Sequence, residues 1–183
     1  LPGLQRAHPG VGLLVHVGTY AEVVGAVLSN QCELGFVAYP MDNPAIRQTP
    51  VLDATAVCAM PAGHPLAARA TVTVEDLKGE RMISLGQDVP SGRRAAEIFA
   101  ARGVPREIVL ETQNAANACA FVKEGLGLAI LDPLTVTAML DARMAARQFR
   151  PSIHFSFSAI TRAERPLPRI CATLLSVIAE TAA

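Results

Sequence analysis

The stretch from Glu111 to Pro133, ETQNAANACAFVKEGLGLAILDP, constrains the fold of this chain more than any other segment. It follows the largely β-branched run IVL. A helix is predicted to begin at Asn114, whose side-chain oxygen suits the free N–H groups of a first helical turn. One apolar helical face then follows at 3.6-residue spacing, made of Ala118, Phe121 and Val122. Gly125 suits the left-handed residue that ends a helix, and LGLAIL predicts a strand covered on both faces, as in a parallel sheet. The segment therefore predicts a strand–helix–strand unit.

In such a unit the helix begins near the carboxyl end of the preceding strand. The free backbone N–H groups of the first turn and the positive end of the helix dipole favour an anionic ligand there. The segment thus predicts a binding site around Asn114, and it contains no pattern that predicts a reaction.

The same periodicities assign elements to the rest of the chain. Helices are predicted at residues 1–8, 21–30, 93–103, 134–145 and 169–183. Strands are predicted at 11–17 (VGLLVHV), 32–38, 54–61, 81–85 and 107–112, with a strand pair around 148–160 and a connector at 39–50. The chain crosses once near residues 39–53 and returns near 150. This order predicts an α/β protein of two lobes, the second inserted in the first.

Composition limits the kinds of partner. The chain is 51% hydrophobic and 17% charged, which is typical of a compact α/β protein. Sixteen basic and sixteen acidic residues give a formal charge of zero, so we expect this chain alone to bind DNA poorly. No stretch reaches the roughly 20 apolar residues of a membrane helix, and we expect no membrane partner.

The four cysteines lie far apart in apolar runs without a CxxC pair, namely Cys32, Cys58, Cys119 and Cys171. We interpret them as reduced thiols, rather than as disulfides or metal ligands, which favours a cytoplasmic protein. The histidines share no ligand spacing, so no metal site and no cofactor is predicted. Because the chain begins Leu1-Pro2 without an initiator Met, we expect it to be a piece of a longer protein.

Five segments, in this order, carry a resemblance to a known family: LPGLQRAHPGV, CELGFVA, MPAGHPLA, VEDLKGERMISL and KEGLGLAILDP. Together they resemble the effector-binding domain of LysR-type transcriptional regulators. The variants ETQNAANACAFV and GLAILDPLT are similar to the regulators of amino-acid and opine metabolism, including the regulator of lysine biosynthesis.

The resemblance implies a type 2 periplasmic-binding-protein-like fold, with two Rossmann-like lobes joined by two crossing strands. Residues 1–53 and 154–183 would form lobe I, and residues 54–153 lobe II. It also implies a small-molecule effector in the interlobe cleft, a homodimer or homotetramer, and DNA contact only through an N-terminal winged helix-turn-helix. That domain, and the family's strand before Leu1, are missing from this sequence, and we expect both in the longer protein.

The resemblance and the helix-start argument together select the candidate effector residues. They are Thr19 and Tyr20 in lobe I, and Ser84, Ser91, Gly92, Arg93, Thr112, Gln113, Asn114 and Asp132 in lobe II. Several have a simpler alternative, because Thr19 and Asn114 suit helix capping, Asp132 suits a turn acceptor ahead of a proline helix start, Tyr20 suits packing, and Arg93 suits a solvated helix start. Ser84 points either to the cleft or to the sheet. Asp132 would suit the ammonium group of an amino-acid effector.

Two other functions share parts of this pattern. A transport-type solute-binding protein would have the same fold and cleft, and a full gene encoding a secretory signal would favour it. A small hydrolase would need His64 with Ser84 or Ser91 and Asp88 or Asp132, but no G-x-S-x-G motif is present. The sequence therefore predicts a ligand-sensing regulatory domain without catalytic residues.

Overall fold

The computed structural model describes residues 2–39 and 41–182. They form two compact units, Leu1–Asp53 with Ser156–Ala183 and Ala54–Phe155. The helices are α1 (Pro2–Ala7), α2 (Tyr20–Leu28), α3 (Pro90–Ala101), α4 (Ala115–Lys123), α5 (Pro133–Met139) and α6 (Arg169–Ala182). The strands are β1 (Gly35–Val37), β2 (Ile46–Thr55), β3 (Val57–Pro61), β4 (Thr71–Thr73), β5 (Arg81–Leu85), β6 (Glu107–Thr112), β7 (Ala129–Leu131), β8 (Met144–Arg150) and β9 (His154–Arg162). Short 3₁₀ turns lie at Pro65–Ala68 and Glu75–Leu77.

The first unit is built on a three-stranded sheet in the order β1-β9-β2, in which β1 and β9 are antiparallel. Helix α2 packs on it through Val27, which joins the buried cluster of Val37, Ile46 and Ile160. Gly35 permits this close approach, since a Cβ there would lie 2.9 Å from Cγ1 of Val23. The helix ends in a left-handed residue, Asn30, at φ 59°, as its sequence predicts.

The predicted strand at residues 11–17 is wrong. The sheets of the described chain include no strand in that stretch, and its apolar side chains are exposed, with Leu14 at 98% and Val17 at 76%. An isolated strand leaves its backbone groups without ladder partners, so alternation alone does not hold it in place.

The second unit contains a four-stranded sheet in the order β4-β8-β3-β7 and a parallel pair, β5-β6. Helix α4 covers their junction and buries Ala118, Cys119 and Val122 completely. Phe121 packs beside them, so the apolar face predicted for this helix is confirmed. Each fully buried Val, Leu or Ile side chain contributes about 1.5–3 kcal/mol, which makes this cluster a main source of the unit's stability.

Three further expectations differ from the structure. β7 pairs antiparallel with β3, and its parallel link to β5 in the described residues is limited to the bridge between Met82 and Leu128. Helix α5 ends at Met139, and β8 begins at Met144, inside the predicted helix. The predicted connector becomes strand β2 from Ile46 onward, and β2 tolerates Pro50 because it is an edge strand. Among the described residues, no helix has the length and apolar character that a membrane crossing requires.

Candidate functional site

Polar residues of the second unit meet where β5 and β6 end. Leu85 lies opposite Thr112 in the parallel pair, and the N–H of Gly86 donates to the carbonyl oxygen of Thr112 at 3.0 Å. Helix α3 begins after a four-residue loop that follows β5, and helix α4 begins after a two-residue loop that follows β6. We call this region the polar edge, defined as residues 86–93 and 111–114. It brings together six of the predicted effector residues, namely Ser91, Gly92, Arg93, Thr112, Gln113 and Asn114.

Helix α3 begins unusually close to the strand end. A Cβ at Gly92 would overlap the carbonyl oxygens of Leu85 and Gly86, so only glycine allows this approach. The neighbouring Ser91 is 3% exposed, and its Oγ has no hydrogen-bond partner among the described residues. A buried hydroxyl without a partner costs free energy, which a ligand that hydrogen-bonds to it would recover.

The start of helix α4 is capped by a side chain that precedes it, that of Asn114. Oδ1 of Asn114 accepts the N–H groups of Ala116 at 2.8 Å and Asn117 at 3.2 Å. Oγ1 of Thr112 accepts the N–H of Asn114 at 3.3 Å, and Nε2 of Gln113 donates to Oδ2 of Asp88 at 2.7 Å. All three predicted residues therefore have local structural roles, and an effector contact would be additional to them.

The polar edge carries both signs of charge. Arg93 is exposed and forms no ion pair with any side chain that the structure describes, whereas Nη1 of Arg94 binds Oε2 of Glu97 at 2.9 Å. On the acidic side, a Cβ on Gly86 would lie 2.5 Å from Oδ1 of Asp88 and 3.4 Å from Oε1 of Glu111. The edge therefore offers a free guanidinium to an anion and two neighbouring carboxylates to a cation.

Asp132 follows β7, which runs parallel to β5 at the Met82–Leu128 bridge and so ends on the same side. Its Oδ1 accepts the N–H of Thr135 at 2.8 Å and caps α5. The capping alternative is therefore present in the structure, and an ammonium contact at Asp132 stays a prediction.

Ser84 lies beneath the polar edge rather than at its surface. It is 9% exposed, and its hydroxyl donates to the carbonyl oxygen of Leu85 at 2.8 Å. Nη1 of Arg106 lies 3.5 Å from Oγ of Ser84, and its guanidinium stands 5.9 Å from the ring centroid of Phe99. Burial lowers the pKa of Arg106, and the charge of Glu111 opposes that shift. Sequence reasoning missed Arg106, because it precedes β6 outside any motif.

The two candidates of the first unit have local partners. Thr19 caps α2 in a capping box, in which its Oγ1 accepts the N–H of Glu22 at 3.3 Å and its N–H donates to Oε2 of Glu22 at 2.7 Å. The backbone N–H and the hydroxyl of Thr19 both donate to Oε2 of Glu22, and these two bonds lower the pKa of Glu22. Tyr20 packs against the buried cluster under α2. Both simpler alternatives are thus present, and effector contact at these two residues stays a prediction.

The residues considered for hydrolysis do not form a triad. Nε2 of His64 lies 3.3 Å from Oε2 of Glu80, and its Nδ1 accepts the N–H of Leu66. Neither ring nitrogen is therefore positioned to act as the general base for a serine hydroxyl. All four cysteines are free, and burial raises the pKa of Cys58 to about 12 and that of Cys119 to about 11. Within residues 2–39 and 41–182, no group of His, Cys, Asp and Glu side chains is arranged to hold a metal ion.

Comparison with known proteins gives consistent matches. The model of the LysR substrate binding domain matches residues 1–183. The chain is 33% identical over 119 residues to the transcriptional activator protein LysR of Escherichia coli strain K12, covering 65% of this chain and 38% of that protein. It is 28% identical over 162 residues to the regulatory protein NocR of Agrobacterium tumefaciens strain T37, covering 88% and 54%. The chain thus spans about half, or less, of the length of these curated relatives.

Among solved structures, the CcmR regulatory domain of Synechocystis PCC6803, in complex with 2-PG, aligns with a TM-score of 0.82 at 18% identity. The alignment covers 99% of this chain and 90% of that one. This likeness confirms the predicted fold, a type 2 periplasmic-binding-protein-like α/β architecture. The named relatives are regulators rather than enzymes, which confirms the prediction of a non-catalytic domain.

Proposed function

Because the chain belongs to the LysR substrate-binding domain family, we propose that it senses a small polar metabolite at the polar edge. The proposed effector carries a carboxylate and an amino group, as an amino acid, diaminopimelate or an opine does. The observation that carries this proposal is that the α3 and α4 starts meet at the polar edge, where, among the described residues, Arg93 has no ion-pair partner and the Ser91 hydroxyl has no hydrogen-bond partner.

Each chemical group of such an effector has a complementary partner. A carboxylate suits the free N–H groups of the α3 start and the guanidinium of Arg93, which can bind it in a bidentate manner. An ammonium group suits Asp88 and Glu111, whose carboxylates both lie close to Gly86. The solved regulatory domain that holds 2-PG supports small-molecule binding by this fold. The similarity to LysR and NocR supports a regulatory role over solute transport.

The wider role follows from the longer relatives. We propose that the full protein is a cytoplasmic LysR-type regulator that works as a homodimer or homotetramer and contacts DNA through an N-terminal winged helix-turn-helix. Effector binding would act by its different affinity for two arrangements of the regulatory domain, because a ligand shifts an equilibrium only by that difference.

Calorimetry and thermal-shift titration of the purified chain test the effector class. The ligands are L-lysine, diaminopimelate, an opine and the corresponding simple carboxylates. We expect at least one zwitterion to raise the melting temperature, since a ligand that binds only the native state stabilises it. No shift with any zwitterion or carboxylate would contradict the proposal.

The two adjacent arginines provide a matched pair of variants. Arg93→Gln should weaken effector binding about tenfold or more, because a hydrogen bond to a charged group contributes about 1.5–3 kcal/mol. Arg94→Gln removes an arginine that already pairs with Glu97, so its affinity should stay at the wild-type value. Equal affinities for the two variants would exclude Arg93 from the site.

A further inference from the structure

A cavity lies in the first unit, at the far end of α2 from Thr19. It has a volume of about 110 Å³ and is lined by Asn30, Cys32, Glu33, Thr161, Arg162, Arg165, Pro166, Leu167 and Pro168. Since Thr19 precedes α2 and Asn30 follows it, the nine-residue helix separates them by roughly 14 Å. The cavity is therefore distinct from the predicted effector residues of this unit.

The lining residues converge because two strand ends meet. Gly35 at the start of β1 lies opposite Ile160 near the end of β9, so the residues just before β1 face those that end β9. The following segment, Pro166–Pro168, leads into α6 and forms a wall that two prolines make stiff. The volume is several times that needed by one water, but small for a drug-sized molecule. It therefore suits a small ligand or the head group of a larger one.

The charges of the cavity favour an anion. Arg165 forms no ion pair with a side chain in the described part of the chain, and Nη2 of Arg162 is 3.8 Å from Oε2 of the highly exposed Glu164, which is a weak pair. Glu33 is the single acidic residue in the lining. The carbonyl oxygen of Leu28, at the negative end of α2, already accepts Nη1 of Arg162 at 3.1 Å. The lining thus contains two guanidinium groups and one carboxylate.

A buried threonine supplies a hydroxyl group to the same cavity. Thr161 is only 8% exposed, and it lines the cavity. Such a hydroxyl donates readily to an oxyanion that the nearby guanidiniums bind. We propose that this cavity is a second ligand site for a small oxyanion, either a carboxylate or a phosphate group, held by Arg162, Arg165 and Thr161. The site does not depend on the proposed effector.

Titration of the ¹⁵N-labelled chain with sodium phosphate and with sodium succinate tests the site, with sodium chloride at matched ionic strength as the control. We expect saturable shifts of the amide signals of residues 30–33 and 161–168 with at least one oxyanion. The two titrations distinguish a phosphate site from a carboxylate site. No saturable shift with either anion, or the same shifts in sodium chloride, would overturn the proposal.

Variants assign the shifts to the cavity. Arg165→Gln should weaken binding about tenfold, and the near-isosteric Thr161→Val should weaken it several-fold, each without unfolding the chain. Arg6→Gln, which removes an exposed arginine of α1, should bind as the wild type does. Wild-type affinity in Arg165→Gln would overturn the proposal, since that residue supplies the unpaired guanidinium.

Alkylation of Cys32 provides a second readout, because its half-buried thiol lines the cavity. The bound anion should slow its reaction with iodoacetamide, measured by peptide mass spectrometry. The buried Cys58 is the internal control for unfolding. An unchanged Cys32 rate at anion concentrations that saturate the amide shifts would overturn the assignment to this cavity.

Discussion

At the scale of single residues, substitution of Ser91 distinguishes an effect on ligand binding from an effect on the stability of the free protein. Its buried hydroxyl has no partner among the described residues, so Ser91→Ala removes an unsatisfied group. We expect the free energy of unfolding, measured by urea denaturation, to stay unchanged or to rise by up to about 1 kcal/mol. Effector binding should weaken in the same variant, because the proposed ligand satisfies this hydroxyl.

Ser84→Ala is the control for Ser91→Ala. The Ser84 hydroxyl donates to the carbonyl oxygen of Leu85 and lies within reach of Arg106, so its removal should cost about 1 kcal/mol of stability. A larger loss of stability in Ser91→Ala than in Ser84→Ala would show that the Ser91 hydroxyl has a structural role.

Asp141 should contribute to the acid sensitivity of the second unit. The pKa of its carboxyl group is held well below the usual range by the backbone N–H of Arg143, the Arg143 side chain and the Lys123 amine. A carboxyl group whose pKa is lowered in the folded state stabilises that state at pH values above the ordinary Asp pKa of about 3.9. This stabilisation is lost as the pH falls from there toward the folded-state pKa. Urea denaturation between pH 7 and pH 3 should show that the free energy of unfolding falls more steeply for the wild type than for Asp141→Asn. Parallel curves would contradict the assignment.

At the scale of elements, the junction between β5 and α3 depends on Gly92. A side chain there would overlap the carbonyl oxygens of Leu85 and Gly86, so the helix start would have to move. We expect Gly92→Ala to lower the free energy of unfolding by about 2 kcal/mol, as overpacking does. Gly63→Ala, where a Cβ meets nothing within 4 Å, should change it by less than about 0.5 kcal/mol. Similar losses in both variants would contradict the close contact.

The elements that sequence predicts well are those whose ends carry local signals. Helix α4 was predictable because Asn114 caps it, Ala118 and Val122 mark its buried face, and Gly125 at φ 76° ends it. The polar edge follows from the same signals, since it consists of strand ends and helix starts. By contrast, the role of Arg106 depends on its approach to Ser84, 22 residues away, which no local pattern encodes.

The wrong predictions concern elements that depend on distant partners. Residues 11–17 alternate like a strand, yet no strand in the described residues pairs with them. Met144 to Ala146 suit a helix locally but pair with Pro61 to Ala59 of β3, and this tertiary pairing overrides their intrinsic propensity. A turn in which Oδ1 of Asp141 accepts the N–H of Arg143 separates α5 from β8. The antiparallel pairing of β7 with β3 was equally unpredictable, because apolar composition shows burial but not the orientation of a partner.

At the scale of the whole molecule, the balanced charge of this chain predicts that the proposed DNA contact is made outside it. Sixteen basic and sixteen acidic residues leave no net charge to release counterions from DNA. Fluorescence anisotropy with labelled duplex DNA at about 0.15 M salt should therefore show no appreciable binding by this chain. A longer version with the proposed N-terminal domain should bind, with an affinity that falls steeply as salt rises, since phosphate contacts dominate such complexes. Tight, salt-sensitive binding by the present chain alone would place a DNA contact within these 183 residues and contradict the proposed division of functions.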